Sequence, residues 1–399
     1  MNQLSDRINN MPESATLAMA AKAREYKSRG IDVISLSLGE PDFKTPKHIQ
    51  EGAKAAIDTE KYFAYPPVSG YQDVREAIAE KFKRENNLDY SPDQIVISNG
   101  AKQSIANVFQ ALINEGDEVI VFSPFWVSYS ALVELPGGVP VYVKGTLDND
   151  FKVTPEQLQS AISDKTKAVI FSSPCNPTGS VFTRAELEAL AKVLQQHKHI
   201  VVLADEIYEH INYTEEGHAS MGAIPGMLDQ TVTINGMAKG FAMTGWRVGY
   251  LGAPLWLAKA CTKIQGQFTS ANCSIAQRAT LIALTTDLGP TKEMAKEYLR
   301  RRGLVKDLLD DIPGFRTNVP QGAFYFFPDV SAYFGKEVGG KVIANATDLS
   351  LYILEEAHVS LVTGEAFGDP NCIRLSYAAS EKDLRTAIQR MKEALAKLQ

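Results

Sequence analysis

The sequence has few cysteines, no long apolar run and no excess of basic charge, and each absence excludes a class of protein. The four cysteines are far apart, so neither a disulfide framework nor a zinc site is predicted. His197 and His199 have no neighbouring carboxylate or cysteine, and no metal site is predicted there either. No segment approaches membrane-spanning length, and residues 1–30 lack the apolar core of a signal peptide. The net charge of −6 disfavours a nucleic-acid binder. We expect a soluble, cytoplasmic protein with reduced thiols.

The middle of the chain alternates short apolar runs with amphipathic segments. One helix is predicted from Thr183 to His197, because Thr183 and Glu186 form a capping box, and another begins at Thr154-Pro155. Continuous apolar runs of strand length are typical of parallel strands that are covered on both faces. The pattern therefore predicts an α/β fold with a mostly parallel sheet flanked by helices. The predicted strands are 94–98, 118–122, 167–172, 200–204 and 231–235.

The pattern changes after Gly289-Pro290, and the 399 residues are enough for two domains. We predict a large domain from residues 47–290 and a smaller, discontinuous α+β domain from residues 1–46 and 291–399. The elements predicted in the smaller domain are a charged helix over 291–311, a strand over 322–327, a helix over 348–357 and a strand over 373–377.

Polar residues follow the carboxyl ends of the predicted strands of the large domain. In open α/β sheets, ligands bind outside these ends, so we expect the polar residues to meet at one site. They are Asn99–Gln103, Ser123–Trp126, Ser173–Gly179, Asp205 with Tyr208, and Gly236–Lys239 with Arg247.

The residue types at this edge suit pyridoxal 5′-phosphate (PLP). Gly100 and Ala101 open a helix and would present backbone N–H groups to a phosphate, to which Arg247 adds a bidentate contact. Asp205 could pair with a protonated pyridine nitrogen and keep the ring an electron sink. Lys239 would form a Schiff base with the aldehyde. Because a free lysine has a pKa of ~10.4, Lys239 needs a desolvated or cationic setting to react at neutral pH.

Aromatic and amide side chains would complete the PLP site. Tyr208 and Asn176 could donate hydrogen bonds to the ring phenolate, and Trp126 offers a flat surface for stacking. Each residue alone has a structural explanation: Asp205 could cap a helix, the aromatic rings could belong to a core, and residues 176–179 could be only a turn. Their position on consecutive strand ends favours the functional interpretation.

With these residues assembled, the chain resembles the class I aminotransferases of PLP fold type I. It is most similar to the bacterial aspartate aminotransferases of the Ib, or I-gamma, branch, from about Ser14 to the C-terminus. The resemblance implies ping-pong transamination between aspartate and 2-oxoglutarate through an aldimine on Lys239, with Asp205 and Tyr208 as further catalytic residues. The matching segments are Gly39–Phe43, Asn99–Gln103, Ser123–Tyr129, Asn176–Gly179, Asp205–Tyr208, Met243–Arg247 and Arg374–Tyr377.

The resemblance also implies how a substrate is held. Arg374 would clamp the α-carboxylate, helped by the backbone of Gly39 and by Asn176, with Trp126 beside the substrate. Lys102 matches a position thought to attract the distal carboxylate in this branch, next to the phosphate contacts. Since residues 265–277 contain no basic residue, the second arginine of the better-known branch is absent.

Tyr65 would reach the phosphate of the neighbouring subunit, which implies a homodimer with shared sites. Related enzymes often carry a lysine just before their Pro-Ser-Ala-Thr segment, whereas residues 11–16 here read Met-Pro-Glu-Ser-Ala-Thr. That departure leaves prephenate or aromatic substrates open. Two alternatives remain: a PLP-dependent β-lyase or decarboxylase, which needs no keto-acid acceptor, and a non-enzymatic PLP-binding regulator, which would usually carry a basic DNA-binding region.

Overall fold

Strands and helices alternate along the middle of the chain, as the sequence predicts. The computed structural model describes residues 3–11 and 15–399, apart from the side chain of Asn10. The strands are β1 (Ile34–Ser35), β2 (Ile95–Ser98), β3 (Glu118–Ser123), β4 (Val139–Lys144), β5 (Thr166–Ser172), β6 (Val201–Asp205), β7 (Thr231–Gly236), β8 (Gly249–Gly252), β9 (Tyr325–Phe326), β10 (Glu337–Val338), β11 (Lys341–Val342), β12 (Val359–Ser360), β13 (Val362–Thr363) and β14 (Ile373–Ser376). The helices are α1 (Asp6–Asn10), α2 (Ala15–Ser28), α3 (Lys47–Asp58), α4 (Gln72–Asn86), α5 (Ala101–Leu112), α6 (Ser128–Glu134), α7 (Pro155–Ala161), α8 (Arg184–Leu194), α9 (Leu255–Phe268), α10 (Ser274–Thr285), α11 (Gly289–Asp310), α12 (Ala346–Ala357) and α13 (Glu381–Leu395).

A seven-stranded sheet forms the centre of the fold, in the order β2-β8-β7-β6-β5-β3-β4. Strand β8 is antiparallel to both of its neighbours, and the other neighbouring pairs are parallel. Strands β2, β3, β5, β6 and β7 therefore all run in one direction, and their carboxyl ends meet at one edge. The predicted α/β fold is confirmed. Strands β4 and β8 were not among the predicted strands.

Helix α8 shows how the local sequence sets an element. The Thr183 hydroxyl accepts a hydrogen bond from Glu186 N at 3.2 Å, and the Glu186 carboxylate accepts one from Thr183 N at 2.7 Å. This capping box begins the helix where the sequence predicts, although the helix ends at Leu194 rather than His197. Each leucine that the helix buries contributes roughly 1.5–3 kcal/mol. The residues it buries against the sheet are Leu187, Leu190, Ala191 and Leu194.

The predicted strand over 322–327 is shorter in the structure, where only Tyr325–Phe326 is a strand. The preceding backbone bonds to loops of the central sheet instead, since Gly322 N donates to Gly179 O at 2.9 Å and Ala323 N to Ile211 O at 2.8 Å. This segment therefore docks the C-terminal elements on the edge of the sheet that carries the site.

The N-terminal segment reaches the C-terminal elements through β1, which pairs with β12. Strands β13, β14 and β9 form a separate antiparallel sheet. Both observations agree with a discontinuous small domain, but the limits at residues 46 and 290 stay a prediction. Within the described part of the chain, no helix has the length and apolar character that crossing a bilayer requires.

Candidate active site

A cavity of about 370 Å³ opens at the carboxyl edge of the sheet. Tyr65 lies outside it, with 95% of its surface exposed. Thr16 and Leu17 also line the cavity, whereas residues 12–14 of the predicted departure lie outside the described residues. The predicted site residues that line the cavity are Gly39, Gly100, Ala101, Lys102, Trp126, Asn176, Asp205, Tyr208, Lys239, Arg247 and Arg374.

The N-terminus of α5 and Arg247 form a cradle for an anion. Gly100 has a φ of +86°, and a Cβ there would lie 2.5 Å from Nη2 of Arg247, so only glycine lets the guanidinium approach this closely. The first N–H groups of a helix have no partner within the helix, and they point to the same place. Asn272 holds the Arg247 backbone by donating to its carbonyl oxygen at 2.8 Å. The cradle therefore combines backbone donors, a helix dipole and a cation.

Asp205 ends β6 with 4% of its surface exposed. Burial raises the pKa of its carboxyl group to about 6, although a hydrogen bond from the Tyr129 hydroxyl at 2.7 Å opposes this rise. A second donor, Ile207 N, lies 3.3 Å away. A buried carboxylate is costly unless a cation pairs with it. The position thus suits a ligand that brings a protonated nitrogen.

Lys239 follows β7 and lines the cavity. Its Nζ donates to Gly39 O at 2.5 Å and lies 5.6 Å from the centroid of the Tyr208 ring. Burial lowers the pKa of Lys239 to about 8, although the negative charge of Glu40 acts to raise it. At pH 7, roughly a tenth of the protein molecules then carry a neutral Lys239 amine, whereas an ordinary lysine is protonated in almost all molecules. The amine is therefore a usable nucleophile and base.

Two tyrosine hydroxyl groups meet beside this lysine. The hydroxyl groups of Tyr208 and Tyr325 lie 2.6 Å apart, and burial raises the pKa of Tyr208 well above its ordinary value. Tyr208 therefore keeps its proton and can donate a hydrogen bond to a phenolate. Tyr325 was not among the predicted site residues, and Tyr129 was named only as the end of the segment Ser123–Tyr129 that matches the family. No local signal marks either residue, because their partners are distant in the chain.

Arg374 on β14 is 2% exposed and forms no ion pair within the described part of the chain. It donates to Asn176 Oδ1 at 2.9 Å and to Ser37 O at 2.5 Å, and its Nε has no partner. The Tyr325 ring lies 4.6 Å from the guanidinium carbon. Burial lowers the pKa of Arg374 from its ordinary value. A buried cation without a counter-ion is costly, so the position fits an anionic ligand.

Lys102 and Trp126 form the rim of the cavity. The Lys102 ammonium lies 5.0 Å from the centroid of the Trp126 ring, and Trp126 meets Tyr129 edge to face at 5.6 Å. Burial, and then the charge of Arg247, lower the pKa of Lys102. A second anionic group of a ligand held by Arg374 would find this cation at the rim.

The side chains in the cavity fit PLP. The cradle offers hydrogen-bond donors and a cation for the phosphate of PLP. Asp205 offers an anion for the pyridine nitrogen, and Tyr208 offers a hydrogen bond to the phenolate. Lys239 offers an amine for the aldehyde. Burial raises the pKa of Asp205, and a cation that pairs with its carboxylate would offset this effect.

The chain is similar to known aminotransferases over nearly its whole length. Residues 31–391 match the family described as aminotransferase class I and II. The aspartate aminotransferase of Geobacillus stearothermophilus is 44% identical over 393 residues, covering 98% of both chains. A bifunctional aspartate aminotransferase and glutamate/aspartate-prephenate aminotransferase of Petunia hybrida is 44% identical over 396 residues, covering 98% of this chain and 82% of the relative.

The fold is also similar to that of a solved structure. The crystal structure of the aspartate aminotransferase from Rhizobium meliloti superposes with a TM-score of 0.96 at 40% identity and covers all of both chains. Sequence, fold and site chemistry agree, and the predicted family is confirmed. The chain belongs to the class I and II aminotransferases and is an aminotransferase.

Proposed function

We propose that the protein is a PLP-dependent aminotransferase that moves the amino group of aspartate to 2-oxoglutarate by a ping-pong mechanism. The observation that carries the proposal is the amine of Lys239, whose pKa is lowered to about 8, in one cavity with the buried guanidinium of Arg374, which has no ion-pair partner among the described residues. When bound, PLP supplies an electron sink for the bonds at the amino-acid Cα.

Lys239 moves the proton in this proposal. Its amine would take the proton from Cα of the amino acid and deliver it to the aldehyde-derived carbon of the cofactor, and with the second substrate it would move a proton from that carbon back to Cα. A base works best when its pKa is near the working pH, which the pKa of about 8 satisfies. Gly39 O, 2.5 Å from Nζ, orients the amine. Lys239→Ala should retain PLP through the cradle but lose transamination by orders of magnitude. Peptide mapping after borohydride treatment should find the label on Lys239.

Arg374 and Asn176 bind the α-carboxylate. The guanidinium offers a planar fork, which Asn176 Oδ1 holds in place at 2.9 Å, and a lysine cannot match this geometry. A side chain at position 39 would collide with the Tyr325 hydroxyl, so glycine is needed for the backbone to pass this close to Tyr325, where it lines the cavity. The backbone and fork together orient Cα toward the amine of Lys239.

Lys102 attracts the distal carboxylate in this proposal. The nearest basic residue after the stretch 265–277 is Arg278, which is committed to Asp73 through contacts of 2.6 and 2.7 Å. Lys102→Ala should therefore reduce kcat/KM for aspartate and glutamate by roughly 10–100-fold, the effect of a charged hydrogen bond. The loss for phenylalanine should be much smaller. Lys263→Ala, an exposed lysine on α9, is the control. Equal losses for aspartate and phenylalanine would assign Lys102 to the phosphate alone.

The proposed homodimer shares its active sites through Tyr65. The exposure of Tyr65 (95%) and of nearby Phe63 (67%) supports a partner surface here. Tyr65→Phe should weaken PLP binding. Mixed dimers of Tyr65→Phe with Lys239→Ala chains should regain activity, because one of their two sites combines wild-type residues from both chains. No regain on mixing would show that each site is built from one chain.

Broader substrate use is the second candidate, favoured by the name of the Petunia relative. A half-reaction screen separates aspartate-specific from broader use: each amino acid is tested for loss of the absorbance of bound PLP, and prephenate, which is a keto acid, is tested for recovery of that absorbance. Product release without a keto-acid acceptor would instead indicate a β-lyase or decarboxylase. A protein that binds PLP but reacts with no amino acid would be a regulator.

A further inference from the structure

Behind the loop that carries Lys239 lies a group of buried charged and polar side chains, which we call the Lys81 cluster. Lys81 is fully buried and donates to Asn86 Oδ1 at 2.7 Å and to the Glu209 carboxylate. Asn86 Nδ2 donates to Glu209 Oε2 at 2.6 Å. The Lys81 ammonium supplies the cation that these acidic groups need. The members of the cluster are Lys81, Glu85, Asn86, Glu206, Glu209 and His218.

His210 connects this cluster to the loop. Its Nε2 lies 2.9 Å from Glu85 Oε2 and 3.7 Å from Glu209 Oε1. The other face of the ring meets Phe241 edge to face, with the centroids 5.3 Å apart. The imidazole is therefore held between two fixed carboxylates and the chain just after Lys239.

Gly240 shows how closely the ring fits. A Cβ at position 240 would lie 2.8 Å from His210 Nδ1 and 2.9 Å from its Cβ, closer than atoms can pack. The φ of Gly240 is not in the left-handed region, so the backbone itself would accept alanine. The imidazole thus fills the space that a side chain next to Lys239 would occupy.

We propose that His210 is a positioning residue for Lys239. The inference rests on the proposed role of Lys239 and adds a part of the chain that the mechanism does not otherwise use. Hydrogen bonds hold the loop on both sides of Gly240, among them Met237 N to Val248 O at 3.1 Å, Ala242 N to Lys239 O at 3.2 Å and Thr45 Oγ1 to Ala242 O at 2.8 Å. His210, backed by the Lys81 cluster, adds a packing contact at Gly240 itself, the residue next to Lys239. A misplacement of ~1 Å at a reacting group can cost about 100-fold in rate.

The test compares Gly240→Ala, His210→Ala and the double variant, each loaded with PLP. Gly240→Ala should lower kcat by about tenfold or more while KM for aspartate stays within about twofold, because the substrate contacts are elsewhere. The yield of borohydride-fixed PLP on Lys239 should fall in parallel. His210→Ala should lower kcat in the same way, because the support is lost, and the double variant should be no more impaired than His210→Ala, since without the ring there is no collision. Gly303→Ala on α11, where a Cβ meets nothing within 4 Å, and His199→Ala, an exposed histidine, are the controls.

Two outcomes would overturn the inference. Wild-type kcat in Gly240→Ala would mean that the loop tolerates displacement, and a double variant in which the losses of the two single variants multiply would mean that His210 is not the group that the new methyl group meets. If Gly240→Ala does not fold, His210→Ala alone decides: kcat should fall with KM unchanged, and wild-type kcat contradicts the proposal. Borohydride label on another lysine in the wild-type protein would refute the role of Lys239 itself, whereas normal labelling with losses that multiply in the double variant refutes only that of His210.

Discussion

Replacing Asp205 with asparagine should change stability in opposite directions with and without PLP. Asp205 is 4% exposed, and burial raises its pKa from 3.8 to about 6. Because the folded state then binds this proton more tightly than the unfolded state, ionisation of Asp205 destabilises the fold as the pH rises through this range. Asparagine carries no charge and removes that cost.

The magnitude follows from the two pKa values. Moving a pKa from 3.8 to about 6 corresponds to about 3 kcal/mol, at ~1.4 kcal/mol for each factor of ten. Tyr129 and Ile207 both donate to the carboxylate, whereas asparagine offers one oxygen, so about 1 kcal/mol is lost with one hydrogen bond. PLP-free Asp205→Asn should thus be about 2 kcal/mol more stable than wild type at pH 8. The advantage should vanish near pH 4, where the folded wild-type carboxyl group is protonated.

Bound PLP should reverse the order of stability of the wild-type protein and Asp205→Asn. A protonated pyridine nitrogen would pair with Asp205 and not with asparagine, so PLP should stabilise the wild-type protein more than the variant. The rate of transamination in the variant should fall by at least about 100-fold, as for other losses of electrostatic preorganisation.

Thermal melting of both proteins, with and without PLP, at pH 5 and pH 8 measures these effects. The PLP-free variant should gain on the order of 2–5 °C in Tm at pH 8 and much less at pH 5. Asp164→Asn, an exposed aspartate, should change little at either pH. A PLP-free variant that melts below wild type at pH 8, or a gain that does not depend on pH, would refute the burial argument.

Further predictions concern three cations. In PLP-free protein, labelling of Lys239 by an amine reagent, measured by mass spectrometry, should rise with pH to a midpoint near 8, and a midpoint near 10 would contradict its desolvation. Arg374→Lys keeps the charge but loses the fork, so kcat/KM should fall by roughly 10–100-fold for all amino acids alike, and a loss confined to aspartate would contradict the α-carboxylate role. Lys81→Met leaves Glu209 buried without its cation and should lower the free energy of unfolding, measured with denaturant, by about 3–5 kcal/mol. Lys83→Met, on the exposed face of α4, should lower it by no more than about 0.5 kcal/mol. Equal losses in the two variants would contradict the buried pairing.

Local patterns in the sequence were enough to predict the fold class and most of the cavity. Apolar runs and capping residues act over a few positions, so the capping box at Thr183 and the strands that lead to Asp205 and Lys239 could be identified without tertiary information. Because parallel strands present their carboxyl ends at one edge, the sequence also predicted which loops would meet. The individual roles assigned to the residues in those loops stay predictions.

Only the tertiary structure decided the contacts between distant segments. Tyr325 against Tyr208, Tyr129 against Asp205 and His210 against Gly240 join elements whose spacing in the chain carries no signal. Such contacts depend on how helices and strands pack after they form, and packing selects side chains by shape rather than by sequence period. The same burial lowers the pKa of Lys239 and raises that of Asp205, and no pattern of residue types could have predicted how far. The sequence by itself determined most of the chemical groups that reach the cavity, and the tertiary structure added Tyr325 and determined the protonation and the neighbours of them all.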